Sequence, residues 1–336
     1  MPAVRQERIA SRAGWAPESA VVVNPAKVDD LETFRETVDG ALAEALWPAP
    51  RWLETTAEDP GYGQTRAAVE AGAEVVFVCG GDGTVMSALG ALVGTETAMA
   101  ILPAGTGNLL AANLGISTDL AAGIEVAVEG GVRRIDVGVV DDRHFAVMAG
   151  MGFDARMLEA TSDTVKARIG WPAYVLGALR HLRDRPMRLT VRVDDGEPMR
   201  RRARSVLIAN VGRLQGGVKL LTDATPDDGL LDIAVLTPRT LRHWAALGLA
   251  VVRRRPRVPS MQVLQGARVE VHSDRPQPRQ LDGDVIDPGR GLVSEVRPDA
   301  VWLCVPQPAE HPDLAEDAEA AARRGARLVE AERWES

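Results

Sequence analysis

The amino-acid sequence predicts an α/β N-terminal domain with Rossmann-like topology, followed by a β-rich, sandwich-like C-terminal domain. A chain of 336 residues is too long for one comfortable hydrophobic core, and its 46% hydrophobic content is ample for two. Strands alternate with helices up to about Arg134, whereas strands joined by turns dominate after it. A last apolar run, 301–305, is expected to return to the first domain. The predicted domains are therefore residues 20–134 with a returning segment of about 298–336, and residues 135–297.

Short apolar runs and amphipathic stretches define the elements in chain order. In the first domain, the predicted strands are 20–23, 51–55, 75–79 and 98–102, and the predicted helices are 31–46, 64–71, 85–93, 109–114 and 120–128. In the second domain, strands are predicted at 133–140, 144–148, 189–193, 205–211 and 268–272, with a hairpin turn at 194–196 and a helix at 241–252.

Two glycine-rich loops follow the third and fourth predicted strands, and each leads into a helix. They are Gly80-Gly81-Asp82-Gly83-Thr84 and Pro103-Ala104-Gly105-Thr106-Gly107-Asn108. Glycine lets the backbone adopt positive φ and approach an anion, while the free N–H groups and the dipole of a helix N-terminus favour negative charge. Because the carboxyl ends of neighbouring strands share one edge of a sheet, both loops are predicted to line a single phosphate-binding crevice.

Asp82 needs a separate explanation, because a carboxylate beside a phosphate is repulsive unless a positive group lies between them. Either Mg²⁺ or a proton that Asp82 removes would resolve the repulsion. Tight strand–helix connections would account for the glycines alone. They would not account for two such loops in tandem, one with Asp82 and Thr84 and the other with Thr106 and Asn108, so the pattern favours phosphate binding.

The two loops together resemble the catalytic domain of the diacylglycerol kinase family of lipid kinases, which includes soluble bacterial diacylglycerol kinases and sphingosine kinases. The first loop alone is shared with NAD kinases and phosphofructokinases, and the second points to the lipid branch. The resemblance covers about residues 20–306 and implies ATP and Mg²⁺ as cofactors. The implied nucleotide contacts are Gly80, Gly81, Asp82, Gly83, Thr84, Gly105, Thr106, Gly107 and Asn108.

Two further nucleotide contacts are implied outside these loops. Asn24 ends the first strand in an Asn-Pro pair, as in the family, but Lys27 follows where a small residue is usual, and Asn-Pro is also a common turn. Thr56 precedes Gly61 at a wider spacing than the family pattern.

Two stretches of the second domain are implied to bind substrate and metal. Asp154, in a Gly-Met-Gly-Phe-Asp run, is implied to bind a substrate hydroxyl, although it could equally cap the helix that follows. The loop around Asp228 implies a structural Mg²⁺ held by the Asp228 carboxylate and by backbone oxygens of Thr225 and Leu230. From the residues alone, this loop also has the composition of a hairpin turn.

A third stretch, Leu281-Asp282-Gly283-Asp284, resembles the family's Asp-Gly-Glu motif. The resemblance implies that Asp282 is a candidate base near the transferred phosphoryl group and that Asp284 contacts the nucleotide with a side chain one methylene shorter than Glu. A simple turn is the structural alternative. Whether Asp82 or Asp282 is the base stays open.

The net charge is −8, but basic and acidic residues are unevenly distributed along the chain. Residues 165–258 carry 19 Lys and Arg against 8 Asp and Glu, which leaves 20 against 39 elsewhere. The predicted helix 165–183 mixes aromatic and basic residues in the manner of a membrane-interface helix, although a helix packed on a sheet has a similar pattern. Arg200-Arg201-Arg202 is interpreted as a solvated strand edge. The segment has no nucleic-acid motif, so anionic lipid is the expected partner.

The remaining composition favours a cytoplasmic protein that is peripherally associated with the membrane. Cys79 and Cys304 lie in apolar runs, which is typical of core thiols rather than of a disulfide, a metal site or a nucleophile. No apolar run has the length of a membrane span, and the first 15 residues lack the apolar core of a signal peptide. A homodimer is left open.

The combined prediction is an ATP-dependent lipid kinase that transfers the γ-phosphoryl group to a lipid hydroxyl, with diacylglycerol giving phosphatidic acid. Asp82 would hold Mg²⁺–ATP or orient the base, Asp282 would accept the hydroxyl proton, and Asp228 would hold the structural metal. Two alternatives stay open. One is a small-molecule kinase similar to NAD kinase, and the other is a non-catalytic nucleotide- or lipid-sensing protein.

Overall fold

The computed structural model describes residues 16–105, 107–129, 131–152, 186–214, 218–221, 224–238, 240–253 and 258–306. These residues divide into two compact units, one with the residues up to Ile135 and those from Asp299, the other with Asp136–Pro298. The predictions for Thr106, Asp154 and the helix 165–183 lie outside the described residues. None of the described helices is long and apolar enough to cross a bilayer.

The first unit is a parallel sheet with helices between its strands. The elements are β1 (Ser19–Val23), α1 (Leu31–Glu44), β2 (Arg51–Glu54), α2 (Tyr62–Glu70), β3 (Val75–Gly80), α3 (Asp82–Leu92), β4 (Ala98–Pro103), α4 (Leu109–Asn113) and α5 (Leu120–Val128). The strand order is β2-β1-β3-β4. Each predicted element of this unit is present, with ends shifted by at most three residues.

The central strands of this sheet are covered on both faces. All residues of β1 and β3 are buried, and the core includes Leu42, Phe77, Leu102 and Ile124. Near-continuous apolar strands are characteristic of parallel sheets packed between helices. The strand order reverses between β1 and β3, and in open α/β sheets ligands bind at the carboxyl ends of the strands beside such a reversal.

The second unit is built from antiparallel strands, and β5 (Gly131–Val140) leads into it. Its other elements are β6 (Arg143–Phe145), β7 (Met148–Gly152), β8 (Met187–Val193), β9 (Met199–Ala203), β10 (Ser205–Ala209), β11 (Arg213–Leu214), β12 (Val218–Lys219), β13 (Leu231–Leu236), α6 (Leu241–Val252), β14 (Met261–Gly266), β15 (Arg268–Leu281) and β16 (Asp284–Val305). The main sheet has the order β14-β13-β10-β7-β15-β16, while β8 pairs with β15 and with β9. The end of β16 pairs in parallel with β4, as expected for the returning segment.

The prediction of one strand over 144–148 is wrong. The chain forms β6 and β7 instead, and the N–H groups of Ala146 and Val147 between them donate to the Asp282 carboxylate at 2.8 and 2.9 Å. These donors therefore bind a side chain 136 and 135 residues away instead of a neighbouring strand. Such a contact leaves no periodic signal in the local sequence.

Two other strand predictions are corrected in extent. The hairpin turn at 194–196 joins β8 to β9, not to the strand that begins at Ser205. Strand β15 continues past His272 to Leu281, with register shifts between His272 and Arg279 where Pro276 and Pro278 lie. Proline lacks a backbone donor and is tolerated in a sheet at such irregularities, which is why these residues obscured the strand.

Candidate active site

The strand reversal in the first unit brings three predicted loop segments together. Asn24 follows β1, Gly80 ends β3 and Ala104 follows β4. The backbone N–H of Asn24 donates to the carbonyl of Cys79 at 2.8 Å, and the N–H of Ala104 donates to the carbonyl of Gly80 at 3.1 Å. The carboxyl ends of three adjacent strands are therefore fixed at one edge of the sheet.

Two glycines of the loops, Gly80 and Gly105, are required for close packing and not for positive φ. None of Gly80, Gly81, Gly83 and Gly105 has a positive φ, which corrects the prediction that these glycines adopt it. A Cβ at Gly105 would lie 2.7 Å from the Cα of Gly81, and a Cβ at Gly80 would lie 2.5 Å from the Cβ of Thr84. A Cβ at Gly83 would meet no atom of the described residues within 4 Å. Gly105 therefore lets the two loops touch, Gly80 lets the first loop pack on its own Thr84, and Gly83 leaves open space above the first turn of α3 among the described residues.

Asp82 connects the first loop to the helix that follows the second loop, and Asn108 closes the second loop on itself. The Asp82 carboxylate accepts a hydrogen bond from the backbone N–H of Leu109 at 2.5 Å. Asn108 is in the left-handed conformation with φ 46°, and its amide both accepts from the N–H of Gly105 and donates to the Gly105 carbonyl. Asp82 thus accepts the backbone N–H of Leu109, the first residue of α4. The open N-terminal turn of α3 remains as the candidate phosphate-binding element.

Asn24 and Thr84 are joined by a hydrogen bond beside the first glycine-rich loop. The Asn24 amide donates to the Thr84 hydroxyl at 3.4 Å, and its oxygen accepts from the N–H of Ala26 at 3.0 Å. Thr84 is buried, whereas Asn24 is half-buried. The geometry therefore joins the end of β1 to the first turn of α3, and it leaves Asn24 the more accessible of the two predicted nucleotide contacts.

Thr56 orders a turn at the end of the neighbouring strand. Its exposed hydroxyl accepts a hydrogen bond from the N–H of Asp59 at 3.1 Å. The Asp59 carboxylate accepts from Gly61 and Gly63 at the start of α2. An added Cβ at Gly61 would lie 3.4 Å from the Thr84 carbonyl, so this turn packs against the first loop, and Thr56 supports it through Asp59.

Cys79, beside the first loop, has no nucleophilic role in this geometry. Burial raises the pKa of its thiol to about 12, and burial raises the pKa of Cys304 to about 12 as well. Both thiols are free and buried. A thiol with so high a pKa is protonated at neutral pH and is inert as a nucleophile, in agreement with the predicted core role.

In the second unit, Asp282 lies in a two-residue turn that connects β15 to β16. Its φ is 47°, and that of Gly283 is 97°, as in the type I′ hairpins that carry Asp-Gly or Asn-Gly. The Asp282 carboxylate accepts hydrogen bonds from three consecutive backbone N–H groups, those of Ala146, Val147 and Met148, at 2.8, 2.9 and 2.7 Å. Asp282 therefore forms the turn that was the structural alternative and also anchors the backbone of residues 146–148. Asp284, which follows the turn, is exposed.

Sequence reasoning missed two side chains that support this turn. Asn210 is buried, and its amide donates to the carbonyls of Asp136 and Ala146 at 2.8 and 3.0 Å. Gln280 is also buried and accepts from the N–H of Gly283 at 2.8 Å. A polar residue at the end of the apolar run before Val211 was the one available signal for Asn210.

The loop before β13 carries Thr225, Asp228 and Leu230, and the Asp136 side chain contacts it. The Asp228 carboxylate accepts from the N–H of Leu230 at 3.0 Å, and the buried Asp136 carboxylate accepts from the N–H of Gly229 at 2.7 Å. The Thr225 hydroxyl is buried without a hydrogen-bond partner in the described structure. Among the described residues, no group of three or more His, Cys, Asp or Glu side chains could hold a metal. A cation here would therefore depend on backbone and hydroxyl oxygens as well as on carboxylate.

Comparison with known families matches both parts of the chain. The diacylglycerol kinase catalytic domain matches residues 19–140, and the YegS C-terminal NAD kinase beta sandwich-like domain matches residues 147–305. A protein from Chromohalobacter salexigens named "Probable lipid kinase YegS-like" is 32% identical over 237 residues, which are 67% of this chain and 74% of that protein. A diacylglycerol kinase from Mycobacterium tuberculosis is 33% identical over 185 residues, 50% of this chain but only 57% of that protein.

Comparison with solved structures supports the same architecture. A structure of a diacylglycerol kinase from Bacillus anthracis str. Sterne has a TM-score of 0.66 at 18% identity and covers 86% of this chain and 97% of its own. At this identity the likeness shows the fold alone. With the family matches, it confirms the predicted α/β N-terminal and β-rich, sandwich-like C-terminal domains.

Proposed function

This chain belongs to the diacylglycerol kinase catalytic-domain family of lipid kinases, and from that membership we propose that it transfers the γ-phosphoryl group of ATP to the hydroxyl of diacylglycerol. The product would be phosphatidic acid. Diacylglycerol is the substrate named for the relative from Mycobacterium tuberculosis, and it presents one free hydroxyl in a membrane.

One observation in particular supports the proposal. The loops at Gly80–Thr84 and Pro103–Asn108 touch at Gly81 and Gly105, while Asp82 accepts the N–H of Leu109. The open face at Gly83 then lies over the N-terminal turn of α3. Free N–H groups, a favourable helix dipole and the absence of a side chain are what a nucleotide phosphate requires.

In the proposed reaction, the lipid hydroxyl oxygen attacks the γ-phosphorus while the bond from that phosphorus to the β–γ bridging oxygen breaks and ADP leaves. The hydroxyl proton passes to a carboxylate, for which Asp282 and Asp82 are the candidates. Positioning and charge neutralisation dominate phosphoryl transfer. The first loop would hold the phosphates through its backbone, and Asn24 would lie beside them.

The oxygen donors near β13 fit a hard cation. The Asp228 carboxylate, the unpartnered Thr225 hydroxyl and nearby carbonyls are the ligand types that Mg²⁺ prefers. We propose that Asp228, with backbone oxygens of Thr225 and Leu230, holds a structural Mg²⁺. The bound ion would supply positive charge to a loop that carries Asp227 and Asp228 and that the buried Asp136 carboxylate of β5 contacts through the N–H of Gly229.

The proposal is tested by turnover of the purified full chain with ATP, Mg²⁺ and a panel of lipids dispersed in neutral detergent, with NAD as a soluble acceptor. We expect phosphate transfer to diacylglycerol and none to NAD. Transfer to NAD without lipid would support a small-molecule kinase instead. Nucleotide binding without transfer to any acceptor would support a sensing protein.

A further inference from the structure

The second unit carries a concave basic surface that the proposed chemistry does not use. This basic groove has a volume of about 580 Å³ and lies across β9, β8 and β15. Its lining residues are Arg188, Leu189, Thr190, Arg200, Arg201, Arg202, His272, Ser273 and Asp274, so four arginines face one carboxylate. All of these residues lie in the second unit, in segments that the structure describes.

Strand register concentrates the charge on one face of the sheet. Arg188 of β8 lies directly opposite Arg202 of β9, and Thr190 lies opposite Arg200. Because side chains alternate along a strand, Arg188, Arg200 and Arg202 share a face, and all three are exposed. Directly opposed like charges destabilise a sheet. The arrangement therefore has a small energetic cost that a binding anion would relieve.

The neighbouring arginines have side-chain partners, whereas these three have none among the described residues. Arg192 and Arg268 both bind Glu270, at 2.9 and 3.1 Å, and Arg201 binds the Gln262 side chain at 2.9 Å. Within the described residues, no side-chain hydrogen bond or ion pair engages the guanidinium groups of Arg188, Arg200 and Arg202. The Asp274 carboxylate accepts the backbone N–H of Arg188 at 3.1 Å.

Protection of a sheet edge does not explain this pattern fully. Charged residues on an edge strand prevent pairing with another chain, and β9 is such an edge, so Arg200 and Arg202 fit that role. Arg188 does not, because β8 is paired on both sides, with β9 and with β15. A charged residue on an interior strand, opposed to another cation in a groove, is better explained by an external anion.

We propose that the basic groove binds the phosphate headgroups of anionic phospholipids and docks this unit on the bilayer surface. The proposal rests on the proposed function, since a lipid kinase must act on a substrate held in a membrane. Guanidinium groups match phosphate oxygens through paired N–H donors. The open shape and the arginine-rich lining suit headgroups at a surface better than an enclosed apolar ligand.

The test is sedimentation of the full chain with vesicles of neutral phosphatidylcholine alone or with anionic phosphatidylglycerol, in the absence of ATP. The variant Arg188→Gln/Arg200→Gln/Arg202→Gln is compared with Arg51→Gln/Arg66→Gln/Arg290→Gln, which removes the same charge from exposed sites outside the groove. Each arginine near an anionic surface contributes roughly a fivefold change in affinity, so the groove variant should bind anionic vesicles about 100-fold more weakly. The control should lose less than about fivefold, as expected for a general charge effect.

Equal losses in the two variants, or unchanged binding of the groove variant, would overturn the proposal. Competition by millimolar inorganic phosphate at constant ionic strength would also overturn it, because the ligand would then be a soluble anion. Turnover on diacylglycerol dispersed in neutral detergent should be unchanged in the groove variant. Vesicle binding and detergent turnover are separate readouts, so failure of the groove and failure of the kinase proposal are distinguishable.

Discussion

In the first unit, the Asp82 carboxylate accepts one backbone hydrogen bond among the described residues, whereas in the second unit the Asp282 carboxylate accepts three. Asp82 lies in the first turn of a helix next to open space at Gly83. Asp282 lies in a tight turn and holds the backbone between β6 and β7. The Asp82 carboxylate therefore has lone pairs left to accept from a ligand. The Asp282 carboxylate is already held by hydrogen bonds within the second unit.

This difference bears on which carboxylate removes the proton. Three backbone N–H donors hold the Asp282 carboxylate, so this carboxylate anchors the segment between β6 and β7. A base role and an anchoring role are not exclusive, but they have different consequences when the carboxylate is replaced.

The largest effect on the second unit is expected from Asp282→Asn. An amide can still accept from Val147 and Met148, but its NH₂ group would face the N–H of Ala146 and leave that donor unpaired. We expect kcat to fall by ~10²–10⁴ if the base is lost, together with a loss of stability of ~1–3 kcal/mol from the unpaired donor. Steady-state kinetics and chemical denaturation measure the two effects.

Asp287→Asn, at an exposed site just beyond the same turn, is the matched control and should change neither quantity. A stability loss in Asp282→Asn with normal kcat would leave only the anchoring role. A kcat loss at unchanged stability would contradict the anchoring role.

In the first unit, Gly105→Ala and Gly83→Ala separate packing from ligand binding. The new Cβ at Gly105 would meet the Gly81 backbone at 2.7 Å, and overpacking of this kind costs ~1–3 kcal/mol. The Cβ at Gly83 meets nothing, so stability should hold or rise by up to ~1 kcal/mol in the helix. If phosphate binds over α3, Gly83→Ala should nevertheless raise the KM for ATP about tenfold or more.

Denaturation and ATP titration of both variants provide the measurement. Normal ATP affinity in Gly83→Ala would mean that the open face is not the phosphate site. Unchanged stability in Gly105→Ala would mean that the loops separate at little cost.

A smaller effect is expected at the Asp228 loop. If Asp228 holds a structural Mg²⁺, saturation at tenfold above its Kd should raise the melting temperature by about 2–4 °C, because only the folded state binds. Asp228→Ala should abolish this rise and increase the Mg²⁺ needed for turnover, whereas Asp227→Ala should retain both responses. An unaltered Mg²⁺ response in Asp228→Ala would refute this metal site.

The smallest effect is expected at Glu96, which joins Arg134 and Trp302 in the first unit. The pKa of its carboxyl is held below the usual value by a hydrogen bond from the Trp302 indole and by Arg134. A lowered folded-state pKa stabilises the protein above the unfolded pKa and is lost as pH falls through the folded value. Because Glu96 is highly exposed, Glu96→Gln should lower stability at pH 7 by less than ~1 kcal/mol. Melting curves should show this difference at pH 7 and a shrinking difference as the pH falls through the lowered folded-state pKa of Glu96. A difference that persists once the carboxyl group is protonated would point to lost packing.

The sequence predicted the first unit better than the second because its signals are local. The Gly80–Thr84 and Pro103–Asn108 loops can be recognised within a few residues, and buried parallel strands are short apolar runs. The sequence could not predict that Gly105 must lack a side chain because the Gly81 backbone lies against it, and not because Gly105 adopts a positive φ.

In the second unit, the defining contacts join residues far apart in the chain. Asp282 binds the backbone more than 130 residues away, and Asn210 binds carbonyls 74 and 64 residues away. The two-residue period of a strand and the 3.6-residue period of a helix give no information about contacts between residues so far apart in the chain. The run Arg200–Arg202 was interpreted as a solvated edge for the same reason, since its pairing with Arg188 depends on strand register.

Asp82→Asn is the sharpest test of the proposal that the paired glycine loops of the first unit bind ATP for transfer to a lipid hydroxyl. The change removes one charge at nearly constant shape, and an amide oxygen can still accept from Leu109. We measure ATP- and Mg²⁺-dependent transfer to diacylglycerol, with circular dichroism and melting temperature as checks of folding. We expect a folded protein whose turnover falls by at least ~10³-fold. A folded Asp82→Asn protein with turnover near that of the wild type would contradict the proposal.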